Sequence, residues 1–134
     1  MRLIALAGLV AAGPAFADIE IFRMPSGNIE CSVGTDVGSS DIQCVIFERS
    51  GAPAAPRPAG CDGAWCHLFA MRDRGSVQPA CGAPGTPAGG GVFAYGRTAG
   101  ANTGITCQSS TEGLECRNRD GHGFFLSRAR QAIY

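Results

Sequence analysis

The sequence predicts an all-β protein: a small, disulfide-stapled antiparallel β-sandwich or barrel with Gly/Pro-rich loops. Three observations predict it. An aliphatic residue, a polar residue and a cysteine recur in that order four times, and short alternating segments are separated by Gly and Pro clusters. No segment after residue 17 has the pattern of a long amphipathic helix. Seven cysteines in 134 residues further indicate that disulfides supplement a thin core.

The first 17 residues are predicted to be an export signal. Arg2 supplies a positive charge, Leu3 to Gly13 an apolar stretch, and Ala15-Phe16-Ala17 a small-residue cleavage site. The stretch is too short to span a bilayer, which takes about 20 apolar residues. No cysteine follows the cleavage site to carry a lipid anchor. We therefore expect a periplasmic or secreted protein, cleaved near Ala17, in which residues 18–134 form a single domain without a membrane span.

Ile19 to Met24 alternates as a strand does, and Pro25-Ser26-Gly27-Asn28 is a typical turn. The first two repeats, Ile29-Glu30-Cys31 and Ile42-Gln43-Cys44, follow it. Because side chains two apart share a face, pairing Cys31 with Cys44 also pairs Ile29 with Ile46 and Val33 with Ile42. All six are apolar, and a one-residue slip would destroy the match. We predict a hairpin with the disulfide Cys31–Cys44 and a loop from Gly34 to Ser40.

The other two repeats, Ile105-Thr106-Cys107 and Leu114-Glu115-Cys116, predict a second hairpin stapled by Cys107–Cys116. This pairing sets Ser109 against Leu114 and Ile105 against Asn118, so its inner face is less apolar. We interpret the weaker match as a place at the edge of a sheet.

The middle of the chain is predicted to alternate between strands and irregular connections. Proline lacks the donor that a sheet ladder requires, so Ser50 to Gly60 is a surface connection. Trp65 to Met71 is a well-buried strand and Ser76 to Cys81 its partner. Gly82 to Gly91 is a flexible loop by composition, and β character resumes at Val92 to Tyr95 and at Phe124 to Ser127. The tail after Ser127 fits either a last strand or one helical turn.

Charge and motif content exclude several classes of function. The formal net charge is zero, so there is no basic footprint for nucleic acid. The sequence has no nucleophile elbow, no phosphate-cradling loop before a helix and no paired-carboxylate signature.

Two cysteines followed at once by a histidine, Cys61 and Cys66-His67, resemble a covalent haem attachment site. Four residues separate the cysteines instead of the usual two, and the further ligand would be Met24, Met71 or His122. We expect no cofactor here.

Zinc would use Cys66, His67 and His122, but the paired spacing of a zinc motif is missing. We expect no metal, and a buried neutral His67 packed beside Phe69. Nucleophilic catalysis needs a thiol of lowered pKa and an orienting third group, and the sequence indicates neither.

Asn118 to Gly123 has turn chemistry throughout, which predicts a tight turn with close backbone packing. The sharper hypothesis is a binding site: His122, with Arg117, Arg119 and Arg128, would form a small anion-binding corner.

The chain resembles DUF6636, a family of bacterial exported domains of unknown function. The matching residues cover almost all of residues 18–134: Pro25-Ser26-Gly27-Asn28-Ile29 with Cys31, Cys61 with Trp65, Tyr95-Gly96, Cys116, Asn118, Gly121-His122-Gly123-Phe124 and Ser127-Arg128. The resemblance implies a small disulfide-linked extracytoplasmic domain. It supplies no reaction, substrate or catalytic residue.

One departure from the family pattern bears on the remaining cysteines. The family has Trp-Gly after its central cysteine, whereas here Trp65 is followed by Cys66. With the two hairpin staples assigned, the resemblance implies that Cys66 is the free thiol and that Cys61 pairs with Cys81.

The sequence therefore favours an exported binding or structural module of unknown ligand that is not an enzyme. Its rival is a small periplasmic hydrolase or metal-dependent enzyme using His67 or His122. A third hypothesis is a dimer joined through Cys66. The sequence names no ligand or partner.

Overall fold

The computed structural model describes residues 18–100 and 102–134, so the predicted export signal lies outside the described residues. This part of the chain contains no helix and forms eleven strands in two sheets. The sheets are arranged as in a sandwich and do not close into a barrel, which confirms the predicted fold class. No helix long and apolar enough to cross a membrane occurs within the described ranges.

The first sheet has six strands in the order β5-β4-β3-β2-β1-β6. All neighbours are antiparallel except β1 and β6, which are parallel. The strands are β1 (Asp18–Arg23), β2 (Ile29–Asp36), β3 (Ser39–Ile46), β4 (Trp65–Arg72), β5 (Gln78–Cys81) and β6 (Gly91–Val92).

The second sheet has five antiparallel strands in the order β11-β10-β9-β8-β7. They are β7 (Thr98–Ala99), β8 (Thr106–Ser110), β9 (Gly113–Arg117), β10 (Gly123–Leu126) and β11 (Gln131–Ile133). The tail is thus a strand. The strand predicted from Val92 to Tyr95 is too long, because β6 ends at Val92.

The first hairpin has the predicted register and the predicted disulfide. Ile29 pairs with Ile46, Cys31 with Cys44 and Val33 with Ile42, and the Cys31–Cys44 bridge is formed. The predicted loop from Gly34 to Ser40 is wrong. The ladder continues to Asp36 and Ser39, which leaves the two-residue turn Val37-Gly38. Polar residues alone do not end a ladder, because one side of this antiparallel pair can face water.

The second hairpin also has its predicted disulfide, Cys107–Cys116, but not its predicted place. It lies inside the second sheet, flanked by β7 and β10, so the edge position is wrong. Ser109 is fully buried opposite the equally buried Leu114, and its hydroxyl donates to the Phe93 carbonyl at 3.1 Å. A satisfied hydroxyl is tolerated in a core, so the mixed inner face is compatible with the interior of a sheet.

The hydrophobic core lies between the two sheets. The rings of Phe69 on β4 and Phe124 on β10 lie 5.9 Å apart, and both are fully buried. Ile42 on β3 and Leu114 on β9 are buried in the same cluster. Side chains of both inner faces therefore share one core, as expected of a sandwich.

Cys61 is bonded to Cys81 and Cys66 is the free cysteine, as the family resemblance implied. Cys66 is fully buried and has a φ of 64°, at a register shift between Trp65 and Leu68. Left-handed φ favours glycine. The glycine that the resemblance implies at this position would adopt this φ freely, whereas this chain places a cysteine in a conformation that costs about 1–2 kcal/mol for an ordinary L-residue.

Residues 82–90, which we call the strap, lead from β5 at one edge of the first sheet to β6 at the other. The buried Glu30 carboxylate accepts the backbone N–H groups of Ala88 at 2.7 Å and of Gly89 at 3.2 Å. A Cβ at Gly90 would lie 2.5 Å from the Ile21 carbonyl oxygen, so only glycine permits this close approach. The strap is thus tied to the outer face of the sheet.

Replacement of Cys66 tests the strained backbone. At ordinary positions Gly is less stable than Ala by about 0.4–1 kcal/mol. Because Cys66 has a left-handed φ, we expect the order to reverse: C66G should be more stable than C66A by about 0.5–1 kcal/mol. Urea unfolding with the disulfides intact measures this. A C66A variant as stable as C66G would contradict the strain.

Replacement of Glu30 tests the strap. In Glu30→Ala the amides of Ala88 and Gly89 lose their acceptors, so we expect their hydrogen exchange to accelerate by roughly tenfold or more, given about 1.5–3 kcal/mol for hydrogen bonds to a charged group. The exposed Glu112, in the turn between β8 and β9, supplies the matched control Glu112→Ala. Equal exchange at both amides in the two variants would show that Glu30 does not hold the strap.

Candidate functional site

His122 is half-buried just before β10 and is held by three hydrogen bonds, one of which its carbonyl accepts from the Asn118 N–H at 2.8 Å. Its backbone N–H donates to Asn118 Oδ1 at 3.1 Å, and its Nδ1 lies 3.1 Å from the main-chain oxygen of Tyr134. Because that oxygen only accepts, Nδ1 carries the proton. Nε2 is then the ring nitrogen left to meet a ligand.

The three predicted arginines each pair with a carboxylate. The guanidinium-to-carboxylate distances are 3.0 Å for Arg117 to Glu115, 3.6 Å for Arg119 to Asp73 and 2.8 Å for Arg128 to Glu48. The Arg117–Glu115 and Arg128–Glu48 pairs are exposed, and such pairs stabilise a protein little, whereas the Asp73 partner of Arg119 is largely buried.

The structure brings only part of the proposed anion-binding corner together. The Arg117 guanidinium lies 4.5 Å from the centre of the Tyr134 ring, so Arg117 and His122 share Tyr134 as a neighbour. Arg128 follows the opposite end of β10 from His122. The corner as a whole remains a prediction.

Asn118 holds the turn that precedes His122 and ties it to the first sheet. Its Nδ2 donates to the carbonyls of Arg72 at 3.0 Å and Gly75 at 2.7 Å. Its Oδ1 accepts the N–H groups of Asp120 at 3.0 Å and His122 at 3.1 Å. Both donors of the buried amide are used, so the predicted tight turn is also a connection between the two sheets.

His67 is half-buried, not buried as predicted, because the register shift after Trp65 interrupts the alternation of faces in β4. Its Nδ1 lies 2.7 Å from the Ile46 carbonyl and therefore donates to it. Within the described ranges, no group of three His, Cys, Asp or Glu side chains is arranged to hold a metal ion.

A cleft that the sequence analysis missed opens between the two sheets. It has a volume of about 430 Å³ and lies between β1 and β6 of the first sheet and β7 and β8 of the second. Most of its lining is apolar, and includes Phe22, Val33, Ile42, Val92, Phe93 and Ile105. The cleft exists because β6 and β7 are only two residues long, so neither strand covers the side of the sandwich.

In β1, which borders the cleft, the side chains face the opposite way from what the apolar–polar alternation of its sequence suggests. Pairing of Phe22 with Cys31 and of Glu20 with Val33 puts Phe22 and Glu20 on the inner face of the sheet. Ile19 and Ile21 then point outward and are 72% and 39% exposed. Alternation in Ile-Glu-Ile alone suggests the opposite orientation. The signal that identifies the true orientation is the register against Cys31.

A second apolar cavity of about 320 Å³ lies beneath the strap, on the outer face of the first sheet. Pro84 and Ala88 of the strap line one side, and Val45, Leu68 and Ala70 line the other. It is smaller than the inter-sheet cleft.

Together the fold and the cleft define a small disulfide-linked β-sandwich domain with an open inter-sheet cleft. A model described as a family of unknown function, DUF6636, matches residues 2–134. The chain belongs to this family, as the sequence resemblance implied. No curated protein and no solved structure matches the chain.

Replacement of Asn118 tests whether this family residue serves the architecture. Truncation in Asn118→Ala removes four hydrogen bonds around a buried side chain, so we expect a loss of about 2–4 kcal/mol in the free energy of unfolding. The matched control Asn102→Ala, at an exposed turn position, should change it by less than about 0.5 kcal/mol. Equal effects of the two substitutions in urea unfolding would contradict the role of Asn118.

Proposed function

We propose that this chain is an exported, non-enzymatic binding module whose inter-sheet cleft takes an apolar small molecule. In this proposal residues 1–17 are removed on export, and residues 18–134 act as one domain in the periplasm or outside the cell.

Three bridges within the chain support the compartment. Cys31–Cys44, Cys61–Cys81 and Cys107–Cys116 are all intramolecular. Such disulfides are consistent with an oxidising compartment and are rare in the reducing cytosol.

The single observation that carries the binding proposal is the cleft itself. Ligand sites in proteins are clefts of roughly 300–1,000 Å³, mostly apolar and with few polar groups. The cleft has about 430 Å³, and Glu20, Thr35 and Thr103 are its polar lining side chains among the described residues. A ligand that fills it would remove apolar surface of Phe22, Phe93 and Ile105 from water, which favours binding.

The rival proposal, a small hydrolase or metal-dependent enzyme using His67 or His122, has less support. Each histidine is oriented by a main-chain oxygen, and the described contacts give neither ring a carboxylate or hydroxyl partner. A general base in a catalytic triad is oriented by a third group and contacts its nucleophile. A dimer through Cys66 would need β4 to open first, because the thiol is fully buried.

Blocking the cleft tests the proposal. Ala99 pairs with the buried Cys107 and lines the cleft, whereas its neighbour Thr98 pairs with Gln108 on the opposite face of β7. We expect the neutral dye N-phenyl-1-naphthylamine to bind saturably with increased emission. Ala99→Trp should fill the cleft and weaken binding at least about tenfold, which corresponds to about 1.4 kcal/mol.

The matched control Thr98→Trp adds the same side chain on the other face and should leave the dye affinity unchanged. Absence of saturable binding to the native chain would overturn the proposal. So would an equal loss of affinity in Ala99→Trp and Thr98→Trp.

A further inference from the structure

We propose that the inter-sheet cleft selects amphiphiles with a cationic, amine-type head group, and that the Glu20 carboxylate binds this head. The inference rests on the proposed binding function and adds the chemical class of the ligand.

The position of Glu20 follows from the register of β1. Glu20 pairs with Val33, which in turn pairs with the fully buried Ile42, so the three lie in one row across the inner face. Phe22, two residues on, shares that face and lines the cleft with Glu20. An acidic side chain therefore stands at the end of an apolar row, where the cleft meets solvent.

The described residues that line the cleft include a negatively charged side chain and no positively charged one. Among the described residues that line the cleft, Glu20 is the one with an ionisable side chain, because Cys107 is bound in a disulfide. No lysine or arginine is among these lining residues. Within the described ranges the Glu20 carboxylate has no hydrogen bond or ion pair, unlike Glu30, Glu48 and Glu115. Its oxygens are therefore open to accept from a ligand.

This arrangement matches one class of head group. A protonated amine offers a positive charge and N–H donors to a carboxylate, which makes a charge-assisted hydrogen bond. A fatty acid would put a second negative charge beside Glu20, and like charges repel. The apolar chain of either ligand would meet the same surface of Phe22, Val33 and Ile105. Chain burial thus provides affinity for both, and Glu20 discriminates between their heads.

Competition among three ligands of equal chain length tests the selection. Octylamine, octanol and octanoate, each below the concentration at which it forms micelles or a separate phase, are compared as competitors of N-phenyl-1-naphthylamine for the purified, disulfide-intact protein at pH 7. We expect octylamine to compete roughly threefold to tenfold better than octanoate, with octanol between them. The difference is modest because a partly exposed charge pair contributes little free energy. Added salt should reduce this preference, because exposed charges are screened.

Two charge-neutralising variants separate local selection from net charge. Glu20→Gln should abolish the preference for octylamine over octanoate, with both affinities measured relative to octanol in the same variant. Glu112→Gln, at the exposed turn between β8 and β9, removes one negative charge elsewhere and should retain the preference.

The outcomes distinguish this inference from the proposed function. Saturable dye binding with equal competition by the three ligands overturns the role of Glu20 and leaves the cleft as a binding site. An equal effect of the two variants also overturns the inference. If the dye does not bind at all, both proposals fail.

Discussion

The pairing of Cys31 with Cys44 is the constraint on which the rest of the structure depends. The disulfide covalently fixes the register of β2 against β3, and the same row continues through Phe22 on β1 and Phe69 on β4. Because a one-residue slip moves every side chain to the other face, this one pairing decides what faces the core in four strands. It places Phe69 against Phe124 of the second sheet, and it also places Glu20 in the cleft.

Local pattern was enough to predict the parts of the fold in which several signals agree. The register, the disulfide and the apolar face of the first hairpin all pointed to the same pairing, and the structure confirms it. The predictions were wrong where a contact with a residue distant in sequence determines the backbone conformation or the burial of a residue. Nothing in the pattern around Cys66 shows its left-handed φ, and the polarity of Ser109 suggested an edge because its acceptor, the Phe93 carbonyl, is distant in sequence. The cleft was missed for the same reason, since it is formed by strands that end early.

The residues that carry the family resemblance serve the architecture in this chain. The Asn28 side chain pairs with the backbone of Glu48, with Nδ2 2.8 Å from its carbonyl oxygen and Oδ1 2.8 Å from its nitrogen, as a neighbouring strand would. Asn118 ties the two sheets together. A Cβ at Gly123 would collide with the Cys116 carbonyl, so the glycine permits the close packing of β9 and β10. Asn28, Asn118 and Gly123 therefore stabilise turns and permit close strand packing. These family residues indicate a fold and do not indicate a ligand.

Strand β1 borders both the inter-sheet cleft and the cavity beneath the strap. Its inner face presents Phe22 and Glu20 to the inter-sheet cleft, while Ile21 lines both that cleft and the cavity beneath the strap. Parallel pairing with β6 covers only Phe22 and Arg23, so the first half of β1 is bounded by β2 alone within the described residues. Edge strands normally carry charge to discourage pairing with other chains. Here Glu20 lies on the inner face but stays exposed at the mouth of the cleft, while Ile19 and Ile21 point outward. An inward-pointing charge is one of the devices that protect an edge strand from pairing. Edge protection and the proposed ligand contact would use the same carboxylate, so the proposed recognition depends on the register of β1 and not on the turn residues of the family motif.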